Sequence, residues 1–242
     1  MHPDELKKYQ DIKNAIDAGC ETNYGRNNNA RKHYKFLKKV LKSRKQMVVA
    51  DLGCGYGVFC RWIKTLFPQH IVYGVDPVFV PENDENLPKS YIGFMKGDST
   101  RIPLPRVDLL TSFDVMEHVH PDDLNKSLRE IARVTDWYIA GIAVGSDKDK
   151  VTGKDVELHA IQKPLSWWCA QFRKHFDSVE ITDGLVVCKK GKALEIQDKV
   201  QTEHVTGESK ASDNACCKLI CHCDSPYSDC DCNFKKDEEE RL

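Results

Sequence analysis

The chain has 242 residues, of which 40% are hydrophobic and 30% are charged, with a formal net charge of −1. A chain of this length can bury one complete hydrophobic core, which favours a single domain with at most an appendage. The near-neutral charge gives no general reason to expect a nucleic acid or a membrane as partner. The sequence has no run of about 18 apolar residues and no basic segment followed by an apolar run at its start. We therefore expect a cytoplasmic protein that does not enter a membrane.

Two helices are predicted at the start of the chain, over residues 4–18 and about 27–42. In the second helix, apolar residues recur every three or four positions among lysines and arginines. This pattern is typical of a helix with one face on a hydrophobic core and the other in solvent. We assign residues 1–45 to these N-terminal helices.

From residue 46, short apolar runs alternate with helical segments. Strands are predicted at 47–50, 71–75, 91–95, 107–113, 137–144, 179–181 and 185–188, and helices at 58–67, 122–134 and 164–175. This alternation predicts a doubly wound α/β fold, with a mostly parallel seven-stranded sheet covered by helices on both faces. The last two strands predict a closing antiparallel hairpin. We place this domain at residues 46–190, and the pattern puts Leu66 on the buried face of its first helix.

The remaining residues lack any sustained apolar period, so we interpret 191–215 as a linker or as disordered. In the tail, 216–242, six of the eleven cysteines lie between Cys216 and Cys232. Their Cys-x-Cys pairs could bind a soft ion such as zinc or copper(I), because thiolates favour both. A disordered thiol-rich tail is the alternative, since few apolar residues surround the cysteines. We assign no metal ligands in the chain.

A glycine-rich loop, Asp51-Leu52-Gly53-Cys54-Gly55-Tyr56-Gly57, lies between a predicted strand and a predicted helix. Open α/β sheets bind ligands at such a turn, and glycine lets the backbone approach the ligand closely. The dinucleotide fingerprint Gly-x-Gly-x-x-Gly requires its third glycine at position 58, where this chain has valine. The carboxylate of Asp51 suits a ligand with a cationic amino group and a sulfonium, and it would repel a pyrophosphate.

Residues 48–57 resemble the first motif of the class I S-adenosylmethionine-dependent methyltransferases. Three later segments resemble further family positions in the same order: Gly74-Val75-Asp76, Gly97-Asp98-Ser99 and residues 112–119. The resemblance covers about residues 45–190. It implies a methyltransferase of this fold, with S-adenosyl-L-methionine as its cofactor.

The resemblance also implies roles for individual residues. Asp76 would accept hydrogen bonds from both ribose hydroxyls, Asp98 would accept one from the adenine amino group, and Asp114 would line the methionine end. The predicted cofactor-binding residues are Asp51, Gly53, Cys54, Gly55, Asp76, Pro77, Asp98, Ser99 and Asp114. In relatives, N-terminal segments cover the cofactor, so residues 23–29 are either a lid or an ordinary polar turn.

Methyl transfer needs a base only where the acceptor atom must lose a proton. The candidates are His118 and His159. His118 follows Glu117, and this Glu-His pair resembles a segment of quinone-type O-methyltransferases. There the pair serves as a base or binds a divalent ion. The alternative is a segment that caps and packs the next helix. His159 lies between the fifth strand and the next helix, and a surface loop histidine is the alternative there. One of Trp167 and Trp168 is a candidate for the wall of an acceptor pocket.

The sequence favours methyl transfer to an oxygen or nitrogen of a small molecule or glycan. One alternative is methylation of RNA or protein, in which the basic residues of 31–45 would bind phosphates. Amino methylation of nucleic-acid bases is disfavoured because Asp114-Val115-Met116-Glu117 follows the fourth strand in place of Asp/Asn-Pro-Pro-Tyr. Another alternative is a catalytically silent module that binds the cofactor. The sequence does not indicate an oligomeric state.

Overall fold

The structure, a computed structural model, describes residues 1–20, 29–79, 93–152, 154 and 156–191. Its helices are α1 (Pro3–Asp17), α2 (Tyr34–Lys42), α3 (Val58–Leu66), α4 (Leu124–Val134) and α5 (Leu165–Phe172). Its strands are β1 (Val48–Leu52), β2 (Ile71–Asp76), β3 (Gly93–Lys96), β4 (Leu109–Phe113), β5 (Trp137–Gly141), β6 (Ser178–Thr182) and β7 (Leu185–Lys189). The predicted tail and nearly all of the predicted linker and lid lie outside the described residues.

The seven strands form one sheet in the order β3-β2-β1-β4-β5-β7-β6. Strands β1 to β5 pair in parallel, and β7 is antiparallel to both of its neighbours. The predicted doubly wound sheet with a C-terminal antiparallel hairpin is confirmed. Because β1 lies between β2 and β4, the order of the strands reverses beside β1, and ligands of open α/β sheets bind at this kind of position.

Alternate residues along the central strands pack on opposite faces of the sheet, as the two-residue period of a strand requires. On one face, Ala50 and Leu110 pack with α4 and α5. On the other face, Val49 and Leu109 pack with α2 and α3. Buried on both sides, the strands need apolar residues at consecutive positions, and this is why they could be recognised as continuous apolar runs.

Several predicted boundaries were wrong by a few residues. Helix α4 begins at Leu124, after a 3₁₀ turn that starts at Pro121. Strand β5 ends at Gly141, because the N–H of Ala143 donates to the side chain of Glu117. Leu66 is 43% exposed, and the buried face of α3 is formed by Phe59, Cys60 and Ile63.

The apolar side of α2 is buried while most of its lysines are exposed, as expected for a solvated outer face. No helix in the described part of the chain is both long enough and apolar enough to cross a membrane.

Candidate active site

A cavity of about 310 Å³ lies where β1, β2 and β4 end. Cavities of roughly 300 to 1,000 Å³ are typical of small-molecule sites. The residues predicted to bind the cofactor and both candidate histidines all line it: Asp51, Gly53, Cys54, Gly55, Asp76, Pro77, Asp98, Ser99, Asp114, His118 and His159. The structure thus brings together residues that span more than 100 positions, although their individual roles stay predictions.

The glycine loop is folded tightly against the end of β2. The N–H of Gly53 donates to the carbonyl of Val75 over 2.7 Å. Gly53 has a φ of 71°, and a Cβ at this position would lie 2.3 Å from a methyl carbon of Val115. Gly57 has a φ of 75° immediately before α3. Only glycine adopts such angles readily, so the loop needs glycine at both positions.

Asp51 presents a buried carboxyl group to the cavity. Its side chain is 4% exposed and accepts a hydrogen bond of 2.8 Å from the hydroxyl of Thr111. Burial raises the pKa of Asp51 to about 7; the Thr111 hydrogen bond opposes this shift and the nearby carboxylate of Asp76 adds to it. A ligand with a positive charge would favour the ionised form of Asp51.

Asp76 ends β2 and holds the surrounding backbone. One carboxylate oxygen accepts from the N–H groups of Val78 and Phe79, both over 2.8 Å, and the other accepts from Gly55 over 3.0 Å. Burial raises the pKa of Asp76 although these three bonds lower it. Since each carboxylate oxygen has two lone pairs, Oδ2 has one lone pair left for a ribose hydroxyl.

Asp98 lies in the turn after β3. Its Oδ1 accepts from both the N–H and the hydroxyl of Thr100, and its Oδ2 accepts from the Met1 amino group over 2.9 Å. Burial raises its pKa, but these hydrogen bonds together lower the pKa below its usual value. The Met1 amino group thus donates to Asp98 the kind of hydrogen bond that was predicted for the adenine amino group. The hydroxyl of Ser99 is bonded to Ser127 of α4, over 2.8 Å.

Asp114 follows β4 in a conformation that is rare for a residue with a side chain, with a φ of 53°. Its N–H donates to the carbonyl of Gly141 over 2.9 Å. Burial raises the pKa of its carboxyl group, while the positive charge of Lys32 lowers it. Strained backbone of this kind clusters at functional sites, where the surrounding structure holds it in place.

The two candidate histidines lie side by side, with ring centroids 4.7 Å apart and planes at 68°. Nδ1 of His118 lies 3.0 Å from the carbonyl of Leu158, and Nδ1 of His159 lies 2.6 Å from that of Gly145. Because a carbonyl only accepts, both Nδ1 atoms carry the hydrogen, and Nε2 of each neutral ring keeps its lone pair. Burial lowers the pKa of His118 to about 4. His159 is only 7% exposed and is therefore not a surface histidine.

Glu117 lies beside both rings and is completely buried. Its Oε1 accepts from the N–H of Ala143 over 2.7 Å, whereas its Oε2 has no hydrogen-bond partner. Burial raises the pKa of this carboxyl group to about 8, even though backbone hydrogen bonds lower it. The sequence prediction considered Glu117 as part of the Glu-His pair and did not count it among the site residues.

A family model described as "Methyltransferase domain" matches residues 50–136. This match covers the glycine loop, Asp76, Asp98 and the segment with His118, on a fold of the expected type. The chain therefore contains a segment that matches a methyltransferase domain, on the fold of the class I S-adenosylmethionine-dependent methyltransferases.

Solved structures with this fold include two that match at low sequence identity. Magnesium protoporphyrin IX methyltransferase from Synechocystis PCC 6803 with bound SAM is 16% identical, with a TM-score of 0.54 over 78% of this chain and 99% of that one. The PH0226 protein from Pyrococcus horikoshii OT3 is 18% identical, with a TM-score of 0.51 over 67% and 89% of the two chains. No curated protein sequence matches.

A third structure, human N-acetylserotonin methyltransferase in complex with SAM, is matched over only about half of its length, 51%. It is 17% identical over 64% of this chain, with a TM-score of 0.49.

The cavity fits S-adenosylmethionine in its chemistry. Three carboxylates at the ends of successive strands line it, and the cofactor offers an amino group, a ribose and an adenine as partners for them. Asp51, Asp76 and Asp98 are the residues that would hold these three parts.

Helix α1 covers one side of the cavity. The sequence did not reveal this position of the helix. Ile12 is fully buried and packs in a cluster with Phe79 and Leu158. Tyr9 lines the cavity, with its ring 5.6 Å from that of His118. The apolar spacing of α1 predicts a helix. It does not predict where the helix packs, because that depends on contacts with residues far away in the sequence.

Other lining residues were also missed, and one interpretation was wrong. Asn29 and Asp147 line the cavity, although both lie in irregular segments without a pattern that marks them. Neither Trp167 nor Trp168 lines it. Trp168 is completely buried in the core beneath the sheet, and Trp167 packs against the same core.

Proposed function

We propose that this methyltransferase transfers the methyl group of S-adenosylmethionine to an oxygen or nitrogen atom of a small molecule or glycan. The observation that carries the proposal is the pair of buried imidazoles, His118 and His159, at the same cavity as the cofactor residues. The cofactor, when bound, supplies a methyl group on a sulfonium. A hydroxyl or protonated amine must lose a proton before its lone pair can attack, and a neutral imidazole can accept that proton.

The polar end of the cavity supports an acceptor with hydroxyl or amino groups. Asp114, Asp147 and Asn29 line this end together with the two histidines. Carboxylates accept hydrogen bonds from hydroxyl and amino groups and would orient them. Holding the acceptor atom in line with the methyl group can supply much of the rate enhancement, up to about 7–11 kcal/mol in favourable systems.

Two observations favour a small acceptor over RNA. The cavity is small and shared with the cofactor, and no lysine or arginine in the described part of the chain lines it. Binding to a nucleic acid depends strongly on contacts of such residues with phosphates. We further propose a cytoplasmic location, which agrees with the free thiols of the described cysteines, including Cys54 and Cys60.

The proposal is tested with methyl-labelled S-adenosylmethionine and cell extract separated into metabolites, polysaccharides, RNA and protein. We expect label in the metabolite or polysaccharide fraction, and its loss with His159→Ala. Charge reversal at two exposed residues of α2, Lys35→Glu and Lys39→Glu, is the matched control and should leave the labelling unchanged. Label in RNA or protein that disappears with the α2 variants would support the RNA or protein alternative. Label in no fraction would favour the silent module.

A further inference from the structure

We propose that the methyl acceptor is a small cationic amine, which Asp147 and Asp114 bind as an ammonium ion and which is methylated on its nitrogen. This inference rests on the proposed function and names the substrate class of the same cavity. The first observation is the sign of the charges at the polar end of the cavity. Asp114 and Asp147 line this end, and no lysine or arginine in the described part of the chain lines the cavity. An acceptor with a carboxylate or phosphate group would be repelled there.

The second observation is that Asp147 is held in place while its carboxylate has no partner. Its N–H donates to Oε1 of Glu157 over 2.9 Å, and its carbonyl accepts from the N–H of Leu158 over 2.8 Å. Its half-buried carboxylate makes no hydrogen bond and no ion pair with a residue that the structure describes. A carboxylate only accepts hydrogen bonds, whereas an ammonium group only donates them. The side chain of Asp147 is therefore positioned at the cavity with both oxygens available to such a group.

The third observation is the repulsion between the two carboxylates. Burial raises the pKa of Asp114, and the negative charge of Asp147 adds to this rise, whereas the charges of Lys32 and His159 lower the pKa. Lys32 is exposed and does not line the cavity. A cation bound beside both carboxylates would offset their repulsion and favour their ionised forms. A hydroxyl group carries no charge and would leave the repulsion in place.

Glu117 indicates the same sign of charge in the ligand. It is completely buried, and its Oε2 has no hydrogen-bond partner. One of its oxygens and one ring nitrogen each of His118 and His159 lie within 4.8 Å of one another, and both rings line the cavity. Burial raises the pKa of Glu117 to about 8. A positive charge held against the two rings would stabilise the ionised form that burial disfavours.

His159 accepts the proton that the ammonium group must lose. Its Nδ1 hydrogen is donated to the carbonyl of Gly145, so Nε2 of the neutral ring keeps its lone pair. Nε2 takes one proton from the ammonium group, and the lone pair left on that nitrogen attacks the methyl carbon. The carbon–nitrogen bond forms while the carbon–sulfur bond breaks, and the electron pair of the broken bond stays on sulfur. The methylated amine is again a cation, and His159 releases its proton to water.

The test identifies the product that is labelled in cell extract by methyl-labelled S-adenosylmethionine, after chromatographic removal of the remaining cofactor. We expect the label in a metabolite that a cation exchanger retains at neutral pH. Hydriodic acid, under conditions that cleave methyl ethers and esters, should not release this label as iodomethane. A neutral or anionic labelled metabolite, release as iodomethane, or label in polysaccharide would overturn this inference and leave the proposed function standing. Absence of label from both metabolites and polysaccharides would overturn the proposed function, and this inference with it.

Variants of Asp147 test its role in binding the amine. We expect Asp147→Asn to methylate the same product about ten- to a hundredfold more slowly, the range expected for a lost hydrogen bond to a charged group. Asp147→Glu keeps the charge and should be more active than Asp147→Asn. Both variants should bind S-adenosylhomocysteine as the unsubstituted chain does, which shows that they are folded. Asp122→Asn is the matched control with full activity, because this carboxylate is exposed and lies outside the cavity. Full activity of Asp147→Asn would overturn the proposal.

Discussion

The hydroxyl of Thr111 on β4 donates a hydrogen bond of 2.8 Å to the carboxyl group of Asp51 at the end of β1. Both side chains are buried between neighbouring strands of the sheet. Burial raises the pKa of Asp51 to about 7, and the hydrogen bond from Thr111 limits this shift by favouring the ionised form. Asp51 therefore changes its charge near neutral pH, at the place predicted for the amino group of the cofactor.

The first prediction is that cofactor binding strengthens as the pH rises towards 8. Binding of a cationic amino group requires ionised Asp51, and below a pKa of about 7 the ionised fraction falls about tenfold per pH unit. The dissociation constant of S-adenosylhomocysteine should therefore rise steeply below pH 7 and level off above it. Calorimetric titration across this range checks the prediction, and Asp51→Asn should remove most of the dependence. An equally steep dependence in Asp51→Asn would contradict it.

The second prediction concerns stability. The unfolded chain ionises Asp51 at its usual pKa, 3.8, while the folded chain keeps the proton up to about pH 7. This group therefore stabilises the fold at low pH, and the contribution is lost as the pH rises from about 4 to 7. Asp51→Asn should show a higher thermal midpoint than the unsubstituted protein at pH 8 and a smaller gain at pH 5. A gain that is larger at pH 5 would reverse the expected sign.

The third prediction tests the backbone of the glycine loop. Gly57→Ala places a methyl group at a φ of 75°, 2.2 Å from the ring of Phe94. We expect it to destabilise the fold by about 1–3 kcal/mol and to weaken cofactor binding. Gly145→Ala is the control, because its Cβ would meet no atom within 4 Å. Chemical denaturation of both variants provides the comparison, and equal stabilities would show that the loop tolerates a side chain.

The sequence predicted the sheet well because its strands are buried on both faces and its glycine loop has a restrictive spacing. It also predicted which strand ends carry carboxylates, since parallel strands end at one edge of the sheet. It could not predict that Ile12 packs with Phe79 or that His118 and His159 meet, because both contacts join distant segments. Nor could it show that Oε2 of Glu117 is unpartnered, since this depends on which backbone groups surround the side chain.

The fourth prediction concerns α1 as a cover of the cavity. Ile12→Ala removes the most buried side chain of α1 from its contact with Phe79 and Leu158. Such substitutions cost about 2–5 kcal/mol, and here we expect the loss to appear as faster release of S-adenosylhomocysteine in stopped-flow experiments. Leu6→Ala is the control on the same helix, because Leu6 is 39% exposed. Unchanged release from a folded Ile12→Ala variant would show that α1 does not retain the cofactor.

The most direct test of the cofactor site is calorimetric titration of the full chain with S-adenosylhomocysteine. We expect one molecule bound per chain, and binding that is about ten- to a hundredfold weaker in Asp76→Ala, the range expected for a lost hydrogen bond to a charged group. Asp122→Ala is the matched control, because this carboxylate is exposed and lies outside the cavity. Absence of binding by the unsubstituted chain, or equal affinity in Asp76→Ala, would contradict the account.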